Sequence, residues 1–244
     1  MARHAFYQLE YPAVFRPPDL MSRRLARDSH KDFLMLRKFA LVVTTLVGVI
    51  SISAARAADT ATDPAVDQVQ SFYASLLDTM KRGPQLGIQG RSRALAPAVD
   101  KAYDLTTMMQ LVVGPSWTTM ADADKNALVA AFRRLTLADY ASNFEKFSGE
   151  RFDVDPNAVQ RSGDKIIQTK LVPQGDQPVA LIYRMREEGG TWKIIDVYLA
   201  GYVSEAALKR SDFASTLASG GPKALTVKIN SLADSALAGA KFQR

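Results

Sequence analysis

The stretch that decides the fold begins Asp104-Leu105-Thr106-Thr107-Met108-Met109-Gln110-Leu111-Val112-Val113-Gly114, and Pro115 follows it. Asp104 suits a helix N-cap, because its carboxylate can accept a hydrogen bond from a free N–H of the first turn. Gly114 with Pro115 behind it is typical of a helix end. The pattern therefore predicts a short helix here, and a second, longer helix from about Ala123.

The longer helix carries an apolar and aromatic stripe. Its members recur three or four residues apart and are Val129, Phe132, Thr136, Tyr140, Phe144 and Phe147, with Leu128 and Leu135 widening the stripe. Charged residues fall mostly on its other faces. A helix with one such face packs that face against apolar surface, so the rest of the chain must supply that surface.

Residues 1–57 are predicted to be an N-terminal extension plus a secretory signal peptide. The apolar run from Phe39 to Ile52 follows Arg37-Lys38 and precedes Ala55-Arg56-Ala57, which is a small-x-small cleavage site. The run is shorter than the roughly 20 residues of a membrane-spanning helix, although a retained anchor is the alternative. We expect cleavage near Ala57 and export to the periplasm. Met35 can begin a signal peptide by itself, so it is a candidate for the true start.

The exported part, residues 58–244, is predicted to be one domain with little net charge. Residues 1–57 hold nine of the 31 Lys and Arg and four of the 25 Asp and Glu, which leaves 22 basic and 21 acidic side chains. A nucleic-acid partner, which needs a clustered basic surface, is therefore not expected. His4 and His30 both lie in the removed part, and the chain has no cysteine. No zinc site, thiol nucleophile, Ser–His relay or cofactor is predicted.

The order of elements predicts an α+β fold. A helix begins at Asp63-Pro64 and ends at Gly83-Pro84, and a weaker helix covers about Ser92 to Tyr103. After Gly149 the apolar period falls to two, and close Gly-containing turns predict an antiparallel meander. Its strands are residues 151–155, 158–161, 165–172, 179–186 and 191–199. From Ser204 the chain returns to helix, with a stop at Gly220-Gly221 and a restart at Pro222.

Three groups of residues resemble one known family. They are Leu111-Val112-Val113-Gly114 to Trp117 and Ala130-Ala131-Phe132-Arg133-Arg134-Leu135 with Tyr140-Ala141; Tyr183-Arg184 and Gly190-Thr191-Trp192-Lys193-Ile194-Ile195-Asp196-Val197; and Arg210-Ser211-Asp212-Phe213 with Gly220-Gly221. In order and spacing the chain resembles the MlaC-like periplasmic lipid-shuttle family over nearly all of residues 64–238. That family is the soluble component of the maintenance-of-lipid-asymmetry, or toluene-tolerance, ABC transport system.

The resemblance implies a fold and a function. The implied fold is an NTF2-like curved sheet with N- and C-terminal helices packed around an apolar lipid cavity. The implied function is transfer of a lipid between inner- and outer-membrane complexes by a soluble monomer, without a catalysed reaction and without a cofactor or metal. Compared with the family's usual Gly-Val-Ser, the chain has one inserted residue, Tyr202, after Gly201. In this feature the chain resembles the branch of the family associated with hopanoid synthesis. The expected ligand is therefore a phospholipid or a hopanoid, and the expected partner is a membrane ABC lipid transporter or an efflux-type complex.

The resemblance supplies the candidate cavity residues, and the charge pattern supplies a candidate docking surface. The predicted cavity wall comprises Met108, Met109, Val112, Trp117, Phe132, Leu135, Tyr140, Phe144, Leu181, Tyr183, Ile195, Val197 and Tyr202. Taken singly, such residues are more often ordinary core. The predicted partner-docking surface comprises the local basic cluster Lys81, Arg82, Arg91 and Arg93, for which a solvated loop is the alternative.

Two other classes of function stay open from the sequence. Asp196 and Tyr183 can be interpreted as an acid/base pair in the pocket of an NTF2-like enzyme. The absence of histidine makes a structural acceptor role for Asp196 the favoured interpretation. A non-catalytic scaffold of an envelope complex is the third possibility. A carrier retains lipid through purification, whereas the enzyme and the scaffold do not.

Overall fold

Helices pack against a single antiparallel sheet in the computed structural model, which describes residues 62–239. In chain order the elements are α1 Pro64–Lys81, α2 Gly83–Ala102, α3 Leu105–Val113, a 3-10 helix Gly114–Thr119, α4 Asp122–Asn143, β1 Arg151–Val154, β2 Val159–Arg161, β3 Asp164–Val172, β4 Val179–Glu188, β5 Thr191–Leu199, β6 Val203–Ser204 and α5 Glu205–Leu237. The α+β prediction is confirmed. The predicted signal peptide, its cleavage near Ala57 and the alternative start at Met35 lie outside the described residues.

The sheet is a meander with a divided first edge. Strands β3, β4, β5 and β6 pair in sequence, each antiparallel to the last. Strands β1 and β2 lie end to end along the other edge of β3, so that Arg151 faces Val172 and Val159 faces Ile166. Because the connections are short turns, the sheet assembles from local hairpins.

A β-bulge decides which side chains of β5 face the helices. Tyr183 is opposite Val197 and Met185 is opposite Ile194, so Ile195 is the extra residue. Without the bulge, Trp192 and Ile194 would face away from Val197 and Leu199. With it, both pairs point to the same side, which we call the inner face. The bulge explains why both alternating sets of β5 contain apolar residues.

Helices α1 and α3 start at their predicted caps. The Asp63 carboxylate accepts a hydrogen bond from the N–H of Ala65 at 2.9 Å, and that of Asp104 accepts one from Thr107 at 2.8 Å. Three other features of the helices differ from prediction. Helix α4 ends at Asn143, so Phe144 is its C-cap and Phe147 lies beyond the helical stripe. The stripe prediction was wrong for these two residues, because the Phe147 N–H donates instead to the carbonyl of Met80 at the end of α1.

The other two differences involve glycine. Helix α2 begins at Gly83 instead of Ser92, and it contains a break at Gly87. The two C-terminal helices form the single element α5, which is kinked at Gly221, where the backbone has a positive φ of 66°. Glycine adopts this conformation without a Cβ penalty, so the predicted stop became a bend. No helix within residues 62–239 is long and apolar enough to cross a membrane.

Helix α1 lies along the inner face of the sheet and is fixed at both ends. At its start, Lys165 Nζ of β3 contacts both Asp63 carboxylate oxygens, at 2.8 and 2.7 Å, and lies 4.2 Å from the centre of the Trp192 ring. At its end, Met80 accepts the hydrogen bond from Phe147 at 3.1 Å. The junction of α2 and α3 is attached to β5, because Asp104 N–H donates to the carbonyl of Ile194 at 3.0 Å.

The outer face of the sheet carries a buried carboxylate held by two arginines. Asp164 accepts hydrogen bonds from Arg184 Nε at 2.6 Å and from Arg186 Nε at 2.7 Å and Nη2 at 2.9 Å. Burial works to raise the pKa of Asp164, but the bonds from Arg186 and Arg184 outweigh it, so the pKa lies below its usual value. The carboxylate therefore stabilises the fold only while it is ionised.

Asp164→Asn should lower the free energy of unfolding by about 2 kcal/mol at neutral pH, because the neutral amide accepts weaker hydrogen bonds. Since the folded-state pKa is depressed, this contribution is complete above the unfolded-state pKa of about 4 and is lost as the pH falls below it. Urea denaturation at neutral pH and near pH 3 measures both effects. Asp153→Asn is the control, because its pair with Arg151 is exposed and should change stability by about 0.5 kcal/mol or less. Equal pH profiles for wild type and Asp164→Asn would contradict this account.

Candidate functional site

Aromatic rings fill the space between the helices and the inner face of the sheet. They come from α1, the C-terminal ends of α2 and α4, β1 and β4, and are Phe72, Tyr73, Tyr103, Tyr140, Phe144, Phe152 and Tyr183. Phe72 is at the centre and contacts Tyr103 and Tyr140 edge to face, with ring centres 5.4 and 5.2 Å apart. Phe152 stacks on Tyr73 at 4.1 Å. The site thus brings together residues from five separate elements.

Five hydroxyl groups meet among these rings, and we call them the hydroxyl cluster: Tyr73, Tyr103, Tyr140, Tyr183 and Thr169. Tyr73 and Thr169 are hydrogen-bonded at 2.7 Å, and Tyr103 is hydrogen-bonded to Tyr140. Thr169 donates to the carbonyl of Leu181 at 2.7 Å. Burial raises the pKa of Tyr73 to about 12, and it raises those of Tyr103, Tyr140 and Tyr183 as well. All four phenols are therefore neutral hydrogen-bonding groups over the physiological pH range.

The inner face is sealed in the middle of the sheet and opens toward one end. Ile167, Tyr183, Met185 and Ile194 are at most 2% exposed. Closer to the turn between β3 and β4, every apolar residue of this face is only half-buried, namely Phe152, Leu171, Val179, Leu181 and Leu199. We call this end of the sheet the hairpin end. Because contiguous apolar surface left uncovered by a folded chain is where ligands and partners bind, the hairpin end is the candidate site.

Two exposed aromatic residues lie at the hairpin end. Phe147 is 41% exposed in the segment between α4 and β1, and Lys81 Nζ is 5.4 Å from the centre of its ring. Tyr202 is 58% exposed in the turn between β5 and β6. Both loops are close to the β3–β4 hairpin, because a Cβ placed on Gly149 would lie 2.7 Å from the Gln174 side-chain oxygen and one placed on Gly201 would lie 3.6 Å from Ala180 Cβ.

Two further hollows are separate from this interior. One of about 220 Å³ lies between α3 and α5 and is lined by Val112, Phe213 and Leu217, with Arg210 at its edge. The other, of about 580 Å³, is an open groove beside α4 that Trp117, Val129 and Arg133 line. Neither hollow includes a side chain of the sheet. Among residues 62–239, no group of three or more His, Cys, Asp or Glu is placed to hold a metal ion.

A family model described as MlaC protein matches residues 70–231, which is most of the chain after the predicted signal peptide. The chain belongs to the MlaC family. The family resemblance found in the sequence is thereby confirmed, although no comparison distinguishes the hopanoid-associated branch.

The fold of this MlaC-family chain is also that of a solved structure. A phospholipid-binding protein from Ralstonia solanacearum, solved in complex with a phospholipid, superposes with a TM-score of 0.63 and 20% sequence identity. The match covers 71% of this chain and 99% of the Ralstonia protein. At this identity the match establishes the shared fold, in which helices pack on one antiparallel sheet.

The predicted wall residues of this MlaC-family chain lie in five different places in the structure. Tyr140, Phe144, Leu181, Tyr183 and Val197 lie in the interior or on the inner face. Met108, Met109, Val112, Phe132 and Leu135 are buried on α3 and α4. Trp117 lines the separate groove, and Ile195 is fully buried at the bulge. Tyr202 differs most from prediction, because it is exposed in a turn and not inside the fold.

The predicted docking cluster does not form one exposed patch. Lys81, Arg82 and Arg93 are exposed, and Arg82 pairs with Asp78. Arg91 is buried instead, and its guanidinium donates to the carbonyls of Ala141 at 2.9 Å and Gly83 at 3.1 Å. It thus closes the carbonyl end of α4. A buried guanidinium with this role cannot contact a partner, so Arg91 is removed from the docking prediction.

The predicted acid/base pair is not formed. Asp196 is opposite Arg184 in the sheet, so its carboxylate lies on the outer face, whereas Tyr183 lies on the inner face. The Asp196 carboxylate accepts bonds from Val197 N–H, Ala206 N–H and the Ser204 hydroxyl. The favoured interpretation of Asp196, as a structural hydrogen-bond acceptor near the end of the strand, is confirmed.

Sequence reasoning missed several site residues, namely Phe72, Tyr73, Tyr103, Phe152 and Thr169. In the sequence, Phe72 and Tyr73 recur at helical spacing with Val69 and Leu76, and Phe152 lies between the charged residues Arg151 and Asp153. The local pattern around each residue therefore predicted that it is buried, but not that these side chains contact one another. Only the packing of α1 on the sheet brings the Tyr73 hydroxyl to Thr169, which is 96 residues away in sequence.

Proposed function

We propose that this MlaC-family protein binds a phospholipid between its helices and the inner face of its sheet, with the mouth of the site at the hairpin end. The observation that carries the proposal is the change along the inner face from sealed to half-exposed apolar side chains. Family membership and the phospholipid bound by the Ralstonia protein of the same fold support it.

The energetics favour a protected site for the acyl chains. Each methylene withdrawn from water gains about 0.8 kcal/mol, so the chains of a diacyl lipid represent on the order of 20 kcal/mol of gross transfer free energy. The seven aromatic rings and the half-buried leucines and valine supply apolar surface for them. Phe144 and Phe152 are the half-buried rings nearest the hairpin end, so acyl chains enter by displacing these two.

We further propose that the protein is a periplasmic monomer that carries lipid between complexes in the inner and outer membranes. A pocket that holds acyl chains this strongly releases them slowly into water, so the lipid passes directly to a docked partner. Lys81 and Arg82 adjoin Phe147 at the hairpin end, which makes them candidates for the docking surface, while Arg93 is the third exposed member. An ABC lipid transporter of the inner membrane is one such partner. No catalysed step is needed.

Extraction of the purified protein tests this function. The protein, expressed with its own signal sequence and purified from periplasm without detergent, should carry about one lipid per chain by organic extraction and mass spectrometry. Detection of a phosphorus-containing diacyl lipid supports the proposal. Detection of a hopanoid instead would show that the cargo is a hopanoid and not a phospholipid. A chain that is empty, and that also takes up no fluorescent phospholipid from vesicles, would leave the scaffold interpretation instead.

A further inference from the structure

The end of α4 and the loop after it carry three aromatic side chains, Tyr140, Phe144 and Phe147, and we call residues 140–147 the mouth segment. Phe144 is the C-cap of α4, and the centre of its ring lies 5.8 Å from that of Tyr140 and 6.1 Å from that of Phe152. A phenyl ring makes no strong hydrogen bond of its own. The position of the Phe144 ring therefore depends on packing and on how firmly the backbone beneath it is held.

Arg91 holds that backbone from the side of α2. Ala141 lies in the last turn of α4, where the carbonyls have no further N–H of the helix to accept from. Arg91 Nε donates to the carbonyl of Ala141 at 2.9 Å, and Nη1 of the same guanidinium donates to the carbonyl of Gly83 at 3.1 Å. Gly83 precedes the break of α2 at Gly87, and Arg91 follows it. One planar group thus joins the mouth segment to both sides of that break.

Two backbone contacts fix the other end of the mouth segment to the junction of α1 and α2. The Phe147 N–H donates to the carbonyl of Met80 at 3.1 Å. A Cβ placed on Gly83 would lie 2.0 Å from the backbone oxygen of Glu145, so the two backbones touch and no side chain fits between them. These two contacts follow Phe144 in the chain, whereas the contact of Arg91 precedes it. Fixed backbone therefore lies on both sides of Phe144, and its ring moves aside for an acyl chain without movement of the helix end.

We propose that Arg91 is a positioning residue of the lipid site, which keeps Phe144 closed over the bound acyl chains and so controls how fast lipid leaves. The inference rests on the proposed lipid-binding function. Arg91 is 7% exposed and its Nε and Nη1 groups bind backbone carbonyls, so it acts through Phe144 and not by touching lipid. Without the guanidinium, the Ala141 carbonyl loses a charge-assisted bond. The end of α4 then moves together with the ring, the mouth opens wider, and release is faster.

The release rate of a fluorescent phospholipid tests this role. Each protein is loaded with a phospholipid that carries a fluorophore on one acyl chain, mixed with an excess of phosphatidylcholine vesicles, and followed by stopped-flow fluorescence. Arg91→Met keeps the apolar stem but removes the donors, so it should release lipid about tenfold faster, the effect of losing one charge-assisted hydrogen bond. Arg91→Lys keeps the charge, but an ammonium does not reproduce the planar fork, so release should be about threefold faster.

Two controls separate this role from a general loss of stability. Arg93→Met is the matched control, because Arg93 is exposed two residues further along α2 and its loss should leave the release rate unchanged. Asp164→Asn is the stability control, because it weakens the fold from the outer face of the sheet and should also release lipid at the wild-type rate. Circular dichroism verifies folding, and Arg91→Lys takes the place of Arg91→Met if the latter does not fold.

A double-mutant cycle shows whether Arg91 acts through Phe144. Phe144→Ala should speed release by itself, and adding Arg91→Met to it should change the rate by less than about twofold, because the ring that Arg91 positions is already absent. Release at the wild-type rate from the Arg91 variants, or an undiminished effect of Arg91→Met in the Phe144→Ala background, overturns the inference while lipid binding stands. Failure of the wild-type protein to take up the phospholipid would count against the proposed function itself.

Discussion

Asp196→Ala should lower the free energy of unfolding by about 3 to 5 kcal/mol, the largest stability loss expected of a single polar side chain here. The buried carboxylate accepts hydrogen bonds from Val197 N–H at 2.9 Å, Ala206 N–H at 3.1 Å and Ser204 Oγ at 2.6 Å. Alanine leaves both backbone donors buried without an acceptor. Because these donors belong to β5 and to the first turn of α5, the variant loosens the junction between sheet and helix. Urea denaturation followed by circular dichroism measures the loss.

Ser204→Ala is the control for this prediction. It removes one of the three bonds to Asp196 and the N-cap bond that Ala207 N–H donates to Ser204 Oγ at 3.1 Å. Loss of an N-cap typically costs about 1 kcal/mol, so this variant should be clearly more stable than Asp196→Ala. Equal losses for the two variants would show that the cap, and not the buried carboxylate, holds the junction.

Leu181→Glu should reduce the lipid retained per protein by about tenfold or more, while the neighbouring Ile182→Glu should retain it. The two residues are both half-buried on β4, but their side chains point to opposite faces of the sheet. Leu181 lies opposite Leu199 on the inner face, where an unpaired carboxylate beside acyl chains is strongly unfavourable. Ile182 lies opposite Tyr198 on the outer face, where the same carboxylate reaches solvent.

The measurement is extraction and mass spectrometry of each variant after the same purification, normalised to folded protein. Thermal denaturation shows whether either variant is destabilised, and the comparison applies only to chains with a cooperative transition. Comparable retention by both variants would place the lipid away from the inner face. Comparable loss by both would indicate a general loosening of the sheet.

Local signals in the sequence were sufficient for the elements. The N-caps Asp63 and Asp104, the helix end at Gly114 and the change of period after Gly149 each act within a few residues, because capping and alternation are short-range effects. They predicted α1, α3, the start of α4 and the meander close to their observed bounds. Gly221 shows the limit of such signals, because a glycine that can end a helix can equally bend one, and packing on both sides of it decides.

The sequence alone did not show which side chains of β5 point to the inner face of the sheet. Strict alternation puts Ile194 and Val197 on opposite faces, and one bulge residue, Ile195, places them on the same face. Whether a strand contains a bulge depends on how its partner strand and the covering helices fit it. The sequence could therefore indicate that both faces of β5 are apolar without indicating which residues meet the helices.

By itself, the sequence determined the fold class, the family resemblance and the absence of imidazole and thiol chemistry from residues 58–244. Only the tertiary structure decided the site. The hydroxyl cluster draws Tyr73 from α1, Tyr103 from the C-cap of α2, Tyr140 from α4 and Tyr183 from β4, and their spacing has no common period. Arg91 was predicted to be exposed and is buried, whereas Tyr202 was predicted in the cavity wall and is exposed. Burial depends on which surfaces the packed helices and turns cover. Local sequence fixes where a helix or strand begins, but a site made by long-range packing exists only once those elements meet.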